Sequence, residues 1–402
     1  MNKSELSLSR NARPIILCFV TYYLPGYRSG GPVRTIANFV DHLGDEFDIR
    51  IVTRDRDALD TKPYPSIEID AWNRNTVGKA QVFYASKKTV NLRGIAKLIR
   101  ETPHDILYLN SFFAFGFTTL SLLARRLGWA PKTPCVIAPR GEFSRGAIAL
   151  KAWKKRFYMR VTRMMGLYSG LHWQASSEFE ASDIKRELRS LAAEISVAPD
   201  LPPAIEAAGL QSTSHKPRID GPLRIIFLSR ISPMKNLDFL LEVLGVVAAP
   251  IELLIFGPLR EPDYWSQCQA LIALLPSNIQ IDYRGEVIPL DVPKTFASAD
   301  LFIFPTRGEN YGHVVLESLA AGTAVLISDR TPWQSSDDKA VEVLPLEDTE
   351  AWVKAVEYWA RFDRQQLEQM RAAALGYAQR YLQTSEALEQ NRSLFRIDFR
   401  KT

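Results

Sequence analysis

Two runs of alternating apolar stretches and helical segments, separated by a proline-rich break, constrain this chain more than any other feature of its sequence. Short stretches rich in β-branched and aromatic residues predict strands at 15–21, 48–53, 80–84, 106–109, 135–138 and 171–175, and helical spacing of apolar residues predicts helices at 35–43, 92–101, 118–127 and 178–188. Strands alternating with helices build βαβ units, whose parallel strands are buried on both faces. The stretch 198–222 then carries Pro199, Pro202, Pro203, Pro217 and Pro222, which forbid a long regular element there. Beyond it the pattern restarts, with strands predicted at 223–229, 251–256, 279–284, 301–304 and 324–328, helices after most of them, and a helical tail from about 349. The expectation is an α/β chain of two Rossmann-like parallel-sheet domains in series, 1–205 and 206–402, the second including the tail.

At 402 residues the chain is long enough for two such domains, and with 46% hydrophobic and 24% charged residues it is neither disordered nor fibrous. Cys18, Cys135 and Cys268 have the spacing of neither a disulfide framework nor a zinc site, and no apolar leader precedes Pro14, so a cytoplasmic setting is expected. Asn110, Ser111, Gly116 and Ser121 interrupt the apolar stretch 106–124, which reads as strand, loop and helix start rather than as a membrane span. Neither half has G-x-G-x-x-G after its first strand, and G-x-x-x-x-G-K-[ST] is absent, which weakens dinucleotide-oxidoreductase and NTPase readings. The net charge is +5, yet residues 1–205 hold 30 Lys and Arg against 19 Asp and Glu, and the rest hold 20 against 26. That asymmetry points the first half toward a polyanionic partner, a membrane surface or nucleic acid.

Two segments carry chemistry. In the first, the apolar strand 301–304 runs into a loop bearing Glu309, and the helix-compatible run from Gly312 places Glu317 in its second turn. Both carboxylates then lie near the carboxyl end of a parallel sheet, where each can accept hydrogen bonds from sugar or ribose hydroxyls. The backbone amides of Tyr311, Gly312, His313 and Val314 at that helix start suit a phosphate, because a first turn has unpaired donors and the positive end of the dipole. In the second segment, the strand 223–229 ends in Arg230-Ile-Ser-Pro-Met-Lys235. Arg230 and Lys235 on one loop can grip a diphosphate from two sides, arginine by its fork and lysine as a point charge.

Together these segments resemble the retaining nucleotide-sugar glycosyltransferases of family 4, the group 1 glycosyl transferases. The resemblance covers most of the chain and implies the GT-B fold, two Rossmann-like domains facing across a cleft, acceptor-side first and donor-binding second. It implies that Arg230 and Lys235 contact the donor diphosphate, that Glu309 touches the transferred sugar, and that Glu317 touches the ribose. Tyr283-Arg-Gly285-Glu-Val287 looks like the family's segment whose backbone meets the base, and the stretch from Tyr22 to Arg34 is similar to its glycine-rich loop. There Gly30 and Gly31 allow close approach of backbone to the donor. Ala175-Ser-Ser-Glu178 and Val197-Ala-Pro-Asp200 match positions the family places before its linker.

One departure stands out. Where many members have His-Gly, this chain has Arg140-Gly141. A guanidinium stays charged and cannot accept the acceptor's proton; this fits a reaction in which the departing diphosphate takes that proton, and leaves Arg140, with Asn110, for an anionic acceptor or for a structural ion pair. Asp55-Arg56-Asp57 mimics a metal-binding D-x-D but follows a strand of the first half, and the five histidines lack ligand spacing, so no metal is expected. The segment 150–165 spaces Leu150, Trp153, Phe157, Val161 and Met164 helically among Lys151, Lys154, Lys155 and Arg160. Such a basic amphipathic helix either packs its stripe on its own core or meets an anionic membrane.

The expected activity is a retaining, metal-independent glycosyltransferase without a cofactor, using a UDP- or GDP-linked sugar and a glycan or lipid-linked acceptor. It is expected to sit peripherally at the inner membrane face in polysaccharide or glycolipid assembly, with no nucleic-acid partner. The rivals are a nucleotide-sugar epimerase of the same fold and an inactive glycan-binding partner subunit.

Overall fold

The computed structural model describes residues 13–74, 78–150, 152–192, 194–203, 221–384 and 386–396. The boundary expected at 205 and 206 lies outside the described residues, as does Lys151. The strands are β1 (Ile15–Phe19), β2 (Asp48–Arg54), β3 (Trp72–Asn73), β4 (Gln81–Ala85), β5 (Ile106–Asn110), β6 (Cys135–Ala138), β7 (His172–Ala175) and β8 (Glu194–Val197), then β9 (Leu223–Leu228), β10 (Ile251–Phe256), β11 (Ile279–Tyr283), β12 (Leu301–Phe304), β13 (Ala324–Ser328) and β14 (Val341–Leu344). They form an eight-stranded sheet, β3-β4-β2-β1-β5-β6-β7-β8, and a six-stranded sheet, β11-β10-β9-β12-β13-β14. All neighbours are parallel except the short edge strand β3, which runs antiparallel to β4.

Both sheets follow from the sequence physics. The central strands β5, β6, β12 and β13 are buried along their whole length, as strands covered on both faces must be. The order of each sheet reverses beside its first strand: β1 lies between β2 and β5, and β9 between β10 and β12. Open α/β sheets bind ligands at the carboxyl ends of the strands around such a switch point.

By its contacts the chain divides into two units. The first holds residues up to Phe143, then Leu150–Leu201, then the helix Ala387–Arg396; the second holds Ser144–Ala149 and Pro202–Glu386. The sequence expectation left the whole tail in the second domain, but the last helix completes the core of the first. The Phe395 ring lies 5.2 Å from that of Phe39, 6.1 Å from Phe47 and 5.0 Å from Tyr108. Asn391 donates to the Pro199 carbonyl at 2.7 Å, and Arg392 and Arg396 both pair with Glu46. In the second unit, Trp352 and Trp359 of the helix Thr349–Ala360 are buried beside β9 and β10 residues.

Candidate active site

In the second unit the carboxyl ends of three strands are laced together. The Ser229 amide donates to the Phe256 carbonyl at 3.0 Å, and the Gly257 amide to that of Gly285 at 2.8 Å. A Cβ on Gly257 would stand 1.7 Å from the Ser229 oxygen, so only glycine lets these loops approach. Arg230 is exposed at this edge, next to Ile231, which bridges to Leu259. Gly285 has φ 76° and open space where a Cβ would be.

Beside them, β12 delivers the loop from Pro305 to Gly312. Asn236, at φ 63°, ties it to the β9 loop: its amide group donates to the Pro305 carbonyl at 2.9 Å, and its oxygen accepts from Arg307 Nε at 2.7 Å. The Arg307 amide donates to the Met234 carbonyl at 2.8 Å. The two loops bring Lys235 and Glu309 together, Nζ to Oε2 at 2.5 Å, with Nζ also 5.0 Å over the Phe304 ring. Lys235 is only 8% exposed, whereas Glu309 is half-buried.

Gly312 caps the helix His313–Ala320 with φ 82° and no side-chain cap. Its left-handed backbone and tight surroundings both call for glycine, since a Cβ would lie 3.0 Å from Trp333 Nε1 and 3.2 Å from Glu309 Cγ. Trp333 donates to the Tyr311 carbonyl at 2.6 Å, and the Tyr311 ring lies 4.7 Å from that of His313. The Val315 amide donates to the Gly312 carbonyl at 2.8 Å, and the backbone of Tyr311, Gly312, His313 and Val314 forms the positive end of the helix. Glu317 is half-buried in the second turn. Arg230, Lys235, Gly285, Glu309, the Gly312 turn and Glu317 therefore all belong to the same unit, on the carboxyl-side loops of neighbouring strands and the helix that follows β12. Sequence motifs do not single out Asn236 or Trp333; the signal for Trp333 is its place just past β13, where the loops of a switch point gather.

In the first unit, β5 ends in Asn110, and Arg140 follows β6 at φ 58°. The Arg140 guanidinium donates to Asn110 Oδ1, from Nε at 3.1 Å and from Nη2 at 2.9 Å, to Tyr108 Oη and to Asp200. Burial alone would lower its pKa, but Asp200 and the neighbouring tyrosine hold it above the ordinary value. Its charge is thus answered within the unit. Two glutamates, Glu142 half-buried and Glu180 buried, staple the surrounding loops. Glu142 accepts from Ser111 Oγ at 2.6 Å and from the Phe112 and Phe113 amides at 2.6 and 3.0 Å. Glu180 accepts from the Gly141 amide at 2.5 Å and from the Ser176 amide and hydroxyl at 2.8 Å each. Burial pushes both glutamates' pKa values up, against the pull of those donors. Gly30 caps the helix Gly31–Leu43 at φ 65° with open space around its missing Cβ, and Gly31 is exposed.

The basic helix spans Ala152–Met164 and presents its stripe outward: Trp153 is 71% exposed, Phe157 66% and Met164 82%. A neighbouring face holds it to the unit. Tyr158 Oη bonds Thr119 Oγ1 at 2.6 Å and the Phe112 carbonyl at 3.3 Å, and Thr162 is buried. The stripe does not pack on the chain's own core. Lys155 lies 4.9 Å over the Phe113 ring, and Lys154 and Arg160 are exposed. Among the described residues no helix is long and apolar enough to cross a membrane.

Comparison with known proteins bears on what these loops do. Residues 222–361 match the family model of the glycosyl transferases group 1. The chain is 25% identical over 277 residues to a phosphatidyl-myo-inositol mannosyltransferase of Mycolicibacterium smegmatis, a match covering 66% of this chain and 64% of that protein. The sucrose-phosphate synthase of Thermosynechococcus elongatus superposes with a TM-score of 0.68 at 15% identity, over 97% of this chain and all of that one. HepE of Anabaena, solved in complex with UDP-glucose, superposes with a TM-score of 0.64 at 14% identity, over 95% and 98%. These matches support a glycosyltransferase of group 1 type, and the fold is that of the GT-B glycosyltransferases.

Proposed function

We propose that the protein is a retaining, metal-independent glycosyltransferase that moves a sugar from a UDP- or GDP-linked donor to a hydroxyl of a glycan or lipid-linked acceptor, in surface polysaccharide or glycolipid assembly. The observation that carries this reading is the Lys235–Glu309 pair beside the Gly312 helix start, within the stretch that matches the group 1 family. The UDP-glucose bound by HepE supports a nucleotide-sugar donor. Arg230, Lys235 and the amides at the helix start take the charge that grows on the departing diphosphate. Glu309 orients the sugar and favours the positive charge that develops on it, and Glu317 receives the ribose hydroxyls. The bond from the anomeric carbon to the diphosphate oxygen breaks as the acceptor oxygen bonds the same face, and the acceptor's proton passes to that departing oxygen. Gly30 and Gly31 are assigned to the donor, Asn110 and Arg140 to the acceptor side.

The test is turnover with the UDP- or GDP-sugar that most raises the melting temperature, since a ligand of the folded state stabilises it. Glu309→Gln is expected to bind that donor with near wild-type affinity and to turn over about 10²-fold more slowly, the usual loss for one contact that strengthens in the transition state. Unchanged kcat overturns the site, loss of wild-type activity to a chelator overturns metal independence, and an inverted anomeric product overturns retention. Sugar released or epimerised without an acceptor establishes the epimerase instead.

We further place the helix Ala152–Met164 on an anionic membrane, with its exposed apolar stripe in the interface and its cations at the headgroups. Each such cation is worth about 1 kcal/mol. Replacing Lys154, Lys155 and Arg160 by Gln is therefore expected to weaken sedimentation with phosphatidylserine vesicles by about two orders of magnitude, and added salt to do the same to the wild type. Salt-insensitive binding, or none in the wild type, removes the membrane from this reading.

A further inference from the structure

The Asp55-Arg56-Asp57 triplet has the spacing of a metal motif, yet its carboxylates are turned inward and occupied by protein. Asp55 pairs with Arg56, Nε to Oδ1 at 2.7 Å. Asp57 is 5% exposed, and its Oδ2 accepts from the Tyr27 amide at 2.8 Å and the Arg28 amide at 3.1 Å, while Oδ1 accepts from the Ala58 amide at 2.7 Å. Gly26 makes this approach feasible, because a Cβ there would sit 2.8 Å from Asp57 Cγ. The Gly30 amide then donates to the Tyr27 carbonyl at 2.9 Å, closing the turn that sets Gly30 at φ 65°. Further ties come from Tyr84 Oη to the Leu24 carbonyl at 2.7 Å and from Arg28 to Asp60 at 2.5 Å.

The two amides that Asp57 holds stand just before the Gly30 turn, on the loop assigned to the donor. A buried carboxylate is costly unless it accepts strong hydrogen bonds, and backbone amides supply charge-assisted ones. A turn built on glycines has many conformations to lose, so an anchor at its base limits how much of it is left to order on the way from the bound state to the transition state. The space around Gly30 is open, so the anchor leaves the turn's outer face accessible.

We propose that Asp57 is a positioning residue for sugar transfer: it clamps the Tyr27–Arg28 backbone so that Gly30 and Gly31 meet the donor diphosphate already ordered. The proposal rests on the glycosyltransferase reading above. Pre-ordered donors aimed at charge that grows on a leaving group act in the transition state, so the clamp belongs in kcat more than in KM.

The experiment compares full-length Asp57→Ala and Asp57→Asn with wild type by steady-state kinetics, by calorimetric donor binding and by hydrogen exchange at the Tyr27 and Arg28 amides. Asp57→Ala is expected to lower kcat about 10- to 100-fold with donor affinity within about 3-fold, and to speed exchange at both amides. Asp57→Asn keeps one oxygen facing those amides and is expected to restore most of the protection and part of kcat. A folded Asp57→Ala that loses only thermal stability, with kcat intact, overturns the proposal, as does unchanged exchange. If Asp57→Ala fails to fold, the same outcomes are read from Asp57→Asn against wild type, an unchanged kcat overturning the proposal. Wild-type protein that transfers no sugar overturns the parent reading and this use of the clamp with it, while the exchange measurement still reports whether Asp57 holds the loop.

Discussion

Arg140 and Lys235 are both buried cations set against a carboxylate just beyond a central strand, one in each unit, but their surroundings differ. The Arg140 side chain is 10% exposed and Asp200 4%; Asn110 and Tyr108 take further guanidinium donors, and the second Asp200 oxygen accepts from Thr35 at 2.9 Å. Lys235 is similarly covered, but Glu309 keeps 20% of its side chain open. Lys235 also meets the face of Phe304, a contact that holds the ammonium without using one of its hydrogens. The first pair is closed on itself and holds loops. The second presents its carboxylate to solvent on a loop, at a sheet edge where ligands bind. Position relative to the strand ends does not separate the two; what the neighbouring atoms already satisfy does.

The sharpest way to break this comparison is to remove one charge from each pair. Asp200→Asn strips the buried guanidinium of its counter-charge, and an uncompensated buried charge costs about 3–5 kcal/mol, so the melting temperature should fall steeply. Glu309→Gln, expected to cripple turnover, should cost less stability, because a lysine left without its counter-charge can release its proton, which a guanidinium cannot, and the Phe304 ring remains beside it. Equal losses on thermal melting would show that the two pairs are built alike.

A smaller effect extends the comparison to a base held by neutral hydrogen bonds. His104 Nδ1 lies 2.7 Å from the Thr102 carbonyl, and Nε2 lies 2.9 Å from Thr133 Oγ1. Burial lowers its pKa from 6.5, partly opposed by the Thr102 carbonyl. A depressed folded value means that His104 contributes stability above about pH 6.5 and loses it as the pH falls through the folded value. Urea midpoints measured downward from that pH should fall less in His104→Gln than in wild type; parallel curves would show that this imidazole is not what the acid side senses.

Much of the fold was legible in the sequence. The strands Cys135–Ala138, Ile251–Phe256, Leu301–Phe304 and Ala324–Ser328 and the helices Leu92–Glu101 and Glu178–Leu188 lie on their predicted bounds, because parallel strands are continuous apolar runs and both helices carry side-chain N-caps, Asn91 and Ser177. The strands missed are β3, β8 and β14, all at sheet edges and largely half-buried or exposed, which lack such runs. Periodicity identified two stripes but not their fates. Ile95, Ala96 and Ile99 of the helix Leu92–Glu101 are buried, while Trp153, Phe157 and Met164 face outward. Chain-local spacing was enough to place Arg230, Lys235, Glu309 and Glu317 on the carboxyl-side loops and the helix start of the second sheet, where they lie. Asp57 and Asp200 were not legible, since their partners Tyr27, Arg28 and Arg140 lie 29 to 60 positions away along the chain and meet them only through the sheet.

The return of the last helix to the first unit bears on how the protein is made. A chain leaving the ribosome in order has all eight strands of the first sheet in hand before the second sheet is begun, yet Phe39, Phe47 and Tyr108 wait for Phe395 until Ala387–Arg396 has emerged. During synthesis of the intervening 185 residues, Pro202–Glu386, that aromatic face has no native cover. A nascent first unit is then a natural client for a chaperone, and a fragment expressed as residues 1–205 would carry the same uncovered face for good.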